Sequence, residues 1–301
     1  MRRFLKVVVG VVASVIALAV IGLGVLYGVS SYQQRKQYAL AAPAAVVSTD
    51  SVSIAIGKHL IGPIGKCGYC HGDDLGGKVV VENPALGRIY APNITSGNGG
   101  VSALSDAELV RAIRQGLRPD GTSLTFMPSA DYQAFSDADV AAVVAYLRHV
   151  PAVNRTAPGS SLGPIARMLV VTQKSPDLLP ARFVEHRASV PSVAMGPTAE
   201  YGAYLIRVGG CAGCHTPALT GGPIAGGDPS WPQAANITRE GLAKWSEADF
   251  TRALRTGLRP DNTVISAVMP WRYTRDMTDD EIRAVWLYIQ SRPAATQVAK
   301  S

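Results

Sequence analysis

All four cysteines of the sequence lie in two motifs of the form C-x-x-C-H. The motifs are Cys67-Gly68-Tyr69-Cys70-His71 and Cys211-Ala212-Gly213-Cys214-His215. This pattern is typical of c-type haem attachment. Two thiols one helical turn apart can reach the two vinyl groups of one porphyrin, and the next residue presents its imidazole to the iron. The sequence therefore predicts two covalently bound haem c groups, each with two thioether bonds and one histidine ligand. The predicted thioether sites are Cys67, Cys70, Cys211 and Cys214, and the predicted proximal ligands are His71 and His215.

Other uses of paired cysteines fit the spacing less well. The two pairs of a four-cysteine zinc site normally lie about 15 to 20 residues apart, far closer than these two motifs. Thioredoxin-like redox motifs occur near alternating strands and helices, a pattern that this sequence lacks. Simple disulfides would leave the histidine that ends each motif unexplained. We therefore favour haem attachment over all three.

The sequence is duplicated, with a period of about 144 residues. After the cysteine motif, each copy contains an Asn-Ile-Thr segment, then Gly-Leu-Arg-Pro-Asp, then Met-Pro. An iron that carries electrons needs six ligands, so each copy needs a second ligand besides the histidine. A lone methionine usually packs in a core. Because Met127 and Met269 occupy matching places in the two copies, we predict that they are the distal iron ligands.

The remaining methionines and histidines have no counterpart of the same type in the other copy. Met277 lies near Met269 and stays a reserve candidate for the second iron. The others are expected to be surface or structural residues, namely Met168, Met195, His59, His149 and His186.

Helix signals also recur at matching places. Serine or threonine followed three residues later by an acidic residue predicts the start of a helix, as at Ser105, Ser136, Ser246 and Thr278. The last helix of each copy has apolar residues at helical spacing and stops before a proline, Pro151 or Pro293. Strand-like alternation is nearly absent. We expect a mainly α-helical protein with short helices and long loops.

The first residues predict a membrane helix. Val7 to Gly28 form an uncharged run, apolar except at Ser14, after a basic start. At about 1.5 Å per residue this run spans about 33 Å, enough for a bilayer core. A cleaved signal peptide is the alternative, because Ala39-Leu40-Ala41 has the small-x-small form of a cleavage site. The run is longer than a signal peptide needs, so we favour a retained anchor. The basic start predicts a cytoplasmic N-terminus with the rest on the periplasmic side of the inner membrane.

The formal charge of +7 is concentrated near the N-terminus, where no acidic residue precedes Asp50. The rest of the chain is close to neutral and has no basic stripe interleaved with aromatic residues. The composition therefore argues against nucleic-acid binding.

We predict five segments: a membrane anchor at 1–34, a linker at 35–52, a first haem domain at 53–155, a proline-rich linker at 156–195 and a second haem domain at 196–301. The proline-rich linker carries one apolar stretch, Ile165 to Val171. We expect it to be ordered and packed across both domains, and the alternative is a docking segment for a partner.

Both copies resemble class I cytochromes c, over roughly 53–153 and 197–295. The Asn-Ile-Thr, Gly-Leu-Arg-Pro-Asp and Met-Pro segments are especially similar to those of the cytochrome c subunits of membrane-bound alcohol and gluconate dehydrogenases. The resemblance implies two tandem helical domains in which the first and last helices cross, a His/Met iron, and electron delivery toward the respiratory chain. Asn93 and Asn236 match a family segment near the haem edge. The chain departs from those subunits in having two haem motifs instead of three and in its N-terminal helix.

Three functions are consistent with these features. The first is single-electron transfer from a dehydrogenase or a quinol-oxidising donor to a respiratory acceptor, such as a terminal oxidase or a soluble cytochrome. The second is a dihaem peroxidase-like oxidoreductase, which requires one exchangeable iron ligand. The third is a structural subunit of a respiratory complex. Two methionines at equivalent positions favour the carrier, so the sequence predicts an electron-transfer protein or subunit with no catalytic residues of its own.

Overall fold

The computed structural model describes residues 2–40, 42–224, 227–228 and 230–293. Ala41 of the candidate cleavage site and residues 294–301 of the predicted second domain lie outside this range. Helix α1 (Arg2–Arg35) opens the chain and contains the predicted apolar run. In the part of the chain that is described, it is the one helix long and apolar enough to cross a membrane, a property that signal sequences share.

The first copy folds into five helices and a β-hairpin around a π-helical turn, Leu60–Ile64. These elements are α2 (Ser51–His59), α3 (Cys67–His71), β1 (Lys78–Asn83), β2 (Gly87–Ala91), α4 (Asp106–Gln115), α5 (Ser129–Tyr132) and α6 (Asp137–His149). The following segment contributes β3 (Ser161–Leu162), α7 (Pro164–Thr172) and a 3-10 turn, Pro180–Arg182.

The second copy repeats the helices of the first in the same order. They are α8 (Ala199–Val208), α9 (Cys211–His215), α10 (Glu247–Thr256), α11 (Trp271–Thr274) and α12 (Asp279–Ser291). The chain is therefore mainly helical, as the sequence predicts.

In each copy the first and last helices cross in close contact at a glycine. A Cβ at Gly57 on α2 would lie 1.9 Å from the carbonyl oxygen of Ala142 on α6. A Cβ at Gly202 on α8 would lie 1.9 Å from the carbonyl oxygen of Ala284 on α12. Only glycine allows backbones to approach this closely. The duplicated glycine thus sets the helix crossing in both copies.

The predicted helix starts are confirmed. Ser105, Ser246 and Thr278 each form a capping box with the acidic residue three positions later. The Ser136 side chain accepts a hydrogen bond from the backbone of Asp139. Each cap satisfies backbone N–H groups that would otherwise lack a partner at the helix start.

A repeated ion pair ties the penultimate long helix to the last one. Arg114 on α4 pairs with Asp137 at 2.5 Å, and Arg255 on α10 pairs with Asp279 at 2.5 Å. Because Arg114 is almost fully buried, its pair lies in lower dielectric than the exposed pair of the second copy and is the more strongly coupled of the two.

The sheet is a difference from the sequence expectation. Strands β1, β2 and β3 form a small antiparallel sheet in the order β1-β2-β3. Strand β1 has three consecutive valines and no buried residue, so it shows no alternation of apolar and polar positions. Its pairing with β2 across a short turn is a local contact that periodicity does not reveal.

The two copies pack face to face around one continuous apolar core that includes residues of both. At its edges, equivalent side chains make reciprocal contacts. His59 of α2 hydrogen-bonds Glu281 of α12 at 2.9 Å, and Tyr204 of α8 donates a hydrogen bond to Asp139 of α6. His59 and Tyr204 hold matching places in their copies, as do Glu281 and Asp139. The interface therefore has approximate two-fold symmetry.

Candidate haem-attachment sites

The two cysteine motifs form short helices with the same geometry. Helices α3 and α9 each begin after a residue in the left-handed conformation, Lys66 with φ 50° and Gly210 with φ 64°. One helical turn separates the two thiols of each motif, which places them on one side of the helix. All four cysteines are half-buried and none forms a disulfide. The structure thus presents two separate dithiol sites.

Burial controls the protonation of the thiols. It raises the pKa of Cys67 to about 12, and it also raises the pKa values of Cys70, Cys211 and Cys214. At neutral pH the thiols are therefore protonated and are not activated thiolates. Within the described ranges, no group of three or more His, Cys, Asp or Glu side chains is placed to hold a metal ion.

Each motif histidine is buried and oriented by a backbone carbonyl. His71 Nδ1 lies 2.7 Å from the carbonyl oxygen of Pro92, and His215 Nδ1 lies 2.8 Å from that of Ala235. Because a carbonyl can only accept, Nδ1 must carry the proton, which leaves the lone pair of Nε2 for an iron. Burial lowers the pKa of both imidazoles and keeps them neutral.

The carbonyls that orient the histidines are functional groups that sequence reasoning missed. Each belongs to the residue just before an Asn-Ile-Thr segment, and the repetition of that segment is the signal that could have located them. Asn93 holds the segment in place, since its Oδ1 accepts from Thr95 N at 2.9 Å and its Nδ2 donates to the carbonyl of Val153 at 2.6 Å. Asn236 accepts from Thr238 N in the same way. Both asparagines shape the turn that aims the carbonyl.

The predicted methionine ligands lie in equivalent turns. Pro128 and Pro270, which follow Met127 and Met269, share one backbone conformation, with φ −78° and ψ 47°. Met127 is half-buried and packs against the central core, as Cys67 does. Met269 is also half-buried.

The reserve candidate Met277 occupies a different environment. It is 7% exposed and belongs to the central apolar core, where its counterpart in the first copy is Phe135. A phenylalanine at the matching place indicates a packing position.

The Gly-Leu-Arg-Pro-Asp segments fold the loops that carry the methionines. Arg118 donates to Thr125 Oγ1 at 2.9 Å, and Arg259 donates to the carbonyl of Val264 at 2.9 Å. Asp120 and Asp261 accept hydrogen bonds from backbone groups two residues ahead. Hydrogen bonds of the arginine and aspartate side chains therefore fix the loop that precedes each Met-Pro segment.

The three remaining histidines have structural partners. His59 bonds Glu281 across the domain interface. His149 Nδ1 lies 2.9 Å from the carbonyl of Ala145 within α6, and His186 Nε2 lies 2.8 Å from the carbonyl of Ala181. These contacts agree with the expectation that they are surface or structural residues.

The donor set of each copy fits a haem c. Two thiols lie on one helical face, a neutral buried imidazole has a free Nε2, and a thioether lies in a turn with the same backbone conformation in both copies. In addition, the indole Nε1 of Trp271, next to Met269-Pro270, is buried without a hydrogen-bond partner among the described residues. Such a donor can serve a carboxylate, the group that haem carries as its two propionates.

Comparisons with known proteins agree with this chemistry. The family model described as "Cytochrome c" matches residues 199–293, and the one described as "Cytochrome C oxidase, cbb3-type, subunit III" matches residues 54–147. The cytochrome c subunit of the quinone alcohol dehydrogenase of Gluconobacter oxydans is 30% identical over 260 residues, covering 75% of this chain and 51% of that protein. The chain is a c-type cytochrome.

Two further relatives of this c-type cytochrome are also named as dehydrogenase subunits. The gluconate 2-dehydrogenase cytochrome c subunit of Pantoea cypripedii is 30% identical over 264 residues, which is 75% of this chain and 57% of that protein. A nicotinate dehydrogenase subunit of Pseudomonas putida is 27% identical over 276 residues, which is 85% of this chain and 23% of that protein. The chain thus spans about half the length of the first two relatives and less of the third. Two cytochrome c domains indicate covalently attached haem c.

Proposed function

We propose that this c-type cytochrome carries two haem c groups, one in each copy, and transfers single electrons between redox partners. The proposed thioether sites are Cys67, Cys70, Cys211 and Cys214, and the proposed iron ligands are His71 with Met127 and His215 with Met269. Haem c supplies a one-electron Fe(III)/Fe(II) couple. The chain contributes neutral histidines fixed by backbone carbonyls, methionines in rigid turns, and a common core that limits water.

The observation that carries the proposal is the adjacency of the two motif helices. Lys66, which immediately precedes Cys67, donates from Nζ to the carbonyl of Gly209 at 2.7 Å and to that of Ile64 at 2.9 Å. Gly209 lies two residues before Cys211. The lysine therefore joins the starts of the two attachment helices directly.

The short helices after the methionines complete this junction. Tyr273 of α11 lies over the first motif, with its ring 6.3 Å from that of Tyr69 in an edge-to-face arrangement. Asp131 of α5 lies at the matching place beside Gly210, the residue that precedes the second motif. Two attachment sites that lie side by side would orient two haems for electron transfer between them.

For the cellular setting, we propose that α1 anchors the protein in the inner membrane and that both haem domains lie on the periplasmic side. The end of α1 and the residues just after it are packed against the body of the protein. Gln33 accepts from Arg182 at 2.6 Å, and Tyr38 N donates to the carbonyl of Gly121 at 2.9 Å. Cleavage at the candidate site would remove these contacts. They support a retained anchor, and mapping of the mature N-terminus tests it.

The relatives are named as subunits of dehydrogenases. We therefore propose a membrane or periplasmic dehydrogenase, or another quinol-oxidising donor, as the source of electrons. A terminal oxidase or a soluble cytochrome is the proposed acceptor. The proposed domains are 53–155 and 196–301, joined by an ordered linker at 156–195.

Single methionine variants separate this carrier from a peroxidase-like enzyme. Met127→Ala and Met269→Ala should each abolish the near-infrared absorption of one ferric methionine-ligated haem and allow one ferrous haem to bind carbon monoxide. Met277→Ala, a matched loss of a thioether from the core, should do neither. A wild-type protein that binds carbon monoxide readily and turns over hydrogen peroxide would contradict the carrier.

A further inference from the structure

Helix α7 of the linker packs beside the end of α1. The guanidinium of Arg167 lies 4.3 Å from the centre of the Tyr27 ring and donates to Ser31 Oγ at 3.1 Å. One turn further along, the carbonyl of Val170 accepts from Arg182, which also binds Gln33. These contacts fix α7 at the level of residues 27–33 of α1.

That level is where the apolar run of α1 ends, since the run extends from Val7 to Gly28 and two serines follow at Ser30 and Ser31. Tyrosine and arginine are the side chains that prefer the boundary between lipid tails and headgroups. Tyr27 and Arg167 meet at this boundary, so α7 lies at the height of the headgroups if α1 spans the bilayer.

The outer face of α7 is apolar and uncovered. Ile165 is 45% exposed and Met168 is 48% exposed, whereas Ala166 and Val170 on the inner face are buried. The turn between β1 and β2 adjoins the start of α7, where Ile165 N donates to the carbonyl of Ala85 at 2.9 Å. We call Ile165 and Met168 the α7 patch.

We propose that the α7 patch inserts into the lipid interface as a second membrane contact. This inference rests on the proposed anchoring by α1, and it identifies what covers the apolar face of the linker. An amphipathic helix lying in the interface buries its apolar face at the boundary of headgroups and acyl chains and keeps its basic groups near lipid phosphates. The exposed Lys174, just after α7, supplies such a group, while the guanidinium of Arg167 contacts α1.

A second membrane contact would limit rotation of the protein about the axis of α1. One spanning helix leaves the attached body free to rotate about the helix axis, whereas a second contact beside it removes that freedom. The α7 patch would therefore fix which faces of the two haem domains point away from the membrane toward redox partners.

Photo-crosslinking to lipid tests the patch on the complete, haem-loaded protein. The protein is placed in nanodiscs of phosphatidylcholine and phosphatidylglycerol that contain a phosphatidylcholine with a diazirine near the ester end of its acyl chain. Lipid adducts are then counted peptide by peptide by mass spectrometry. We expect adducts on peptides of α1 and α7, and none on the peptide with Val264, an apolar residue that is 68% exposed in the second copy.

The double substitution Ile165→Ser and Met168→Ser should lower the α7 adducts several-fold and leave the α1 adducts unchanged. Both residues are exposed, so the fold should tolerate the change. Adducts on α1 with none on α7 would overturn the patch while the anchor stands, and absence of adducts on α1 would overturn the anchor as well. Crosslinks between α7 segments of two copies, without lipid adducts there, would assign the patch to self-association and also overturn the proposal.

Discussion

The crossing of α2 and α6 gives a direct test of the fold at Gly57. A methyl group there would lie 1.9 Å from the carbonyl oxygen of Ala142 and 2.9 Å from Cβ of Tyr146. The backbones would have to separate by about 1.5 Å to restore ordinary contacts, and such overpacking costs about 3 kcal/mol, the upper end of the usual range. Each kcal/mol lowers the melting temperature of a protein of this size by roughly 2–4 °C.

We therefore expect Gly57→Ala to melt roughly 6–12 °C below the wild type, measured by circular dichroism on the full-length haem-loaded protein. Gly202→Ala should behave alike, because its Cβ meets the carbonyl oxygen of Ala284 at the same distance. Gly62→Ala is the matched control, since nothing lies within 4 Å of its Cβ. A melting temperature of Gly57→Ala equal to that of Gly62→Ala would refute the close crossing of α2 and α6.

Substitutions at three further positions probe the domain interface. Tyr204→Phe removes the hydrogen bond to Asp139 and should destabilise the protein by about 1–3 kcal/mol, measured by denaturant unfolding. His59→Gln tests the pH dependence: the hydrogen bond to Glu281 raises the pKa of His59, so this stabilisation is complete below the unfolded pKa of about 6.5 and is lost as pH rises through the higher folded value. The stability difference between wild type and His59→Gln should thus shrink as pH rises above about 6.5, and a growing difference would contradict this sign. Lys66→Met should lower the melting temperature more than Lys66→Gly, because both lose the bridging hydrogen bonds but glycine fits the left-handed backbone at this position. Equal melting of these two variants would show that the left-handed conformation carries no strain.

Much of this architecture is readable from local sequence. The helix caps at Ser105, Ser246 and Thr278 follow from side chains that bond their own backbone within three residues. The cysteine motifs and the Met-Pro turns can be located because the chain repeats them at matched spacing.

Other features depend on contacts that no local pattern encodes. The carbonyls of Pro92 and Ala235 orient the motif histidines. The repeated Asn-Ile-Thr segment marks their place in the sequence, but only the folded loop shows that they face the histidines. Lys66 reaches Gly209 only once two distant segments have docked. The β1-β2 hairpin escapes prediction because its valine run lacks alternation. Contacts between paired segments, not local propensity, decide these elements.

The central claim is that one chain holds two covalent haems and exchanges one electron at each. Coulometric titration of the full-length protein, followed by its haem absorption, tests it most directly. We predict that each chain takes up two electrons reversibly. Both haems should have high reduction potentials, because a methionine ligand raises the haem potential relative to a second histidine. Uptake of a single electron per chain, or a second haem signal that does not change with applied potential, would contradict the account.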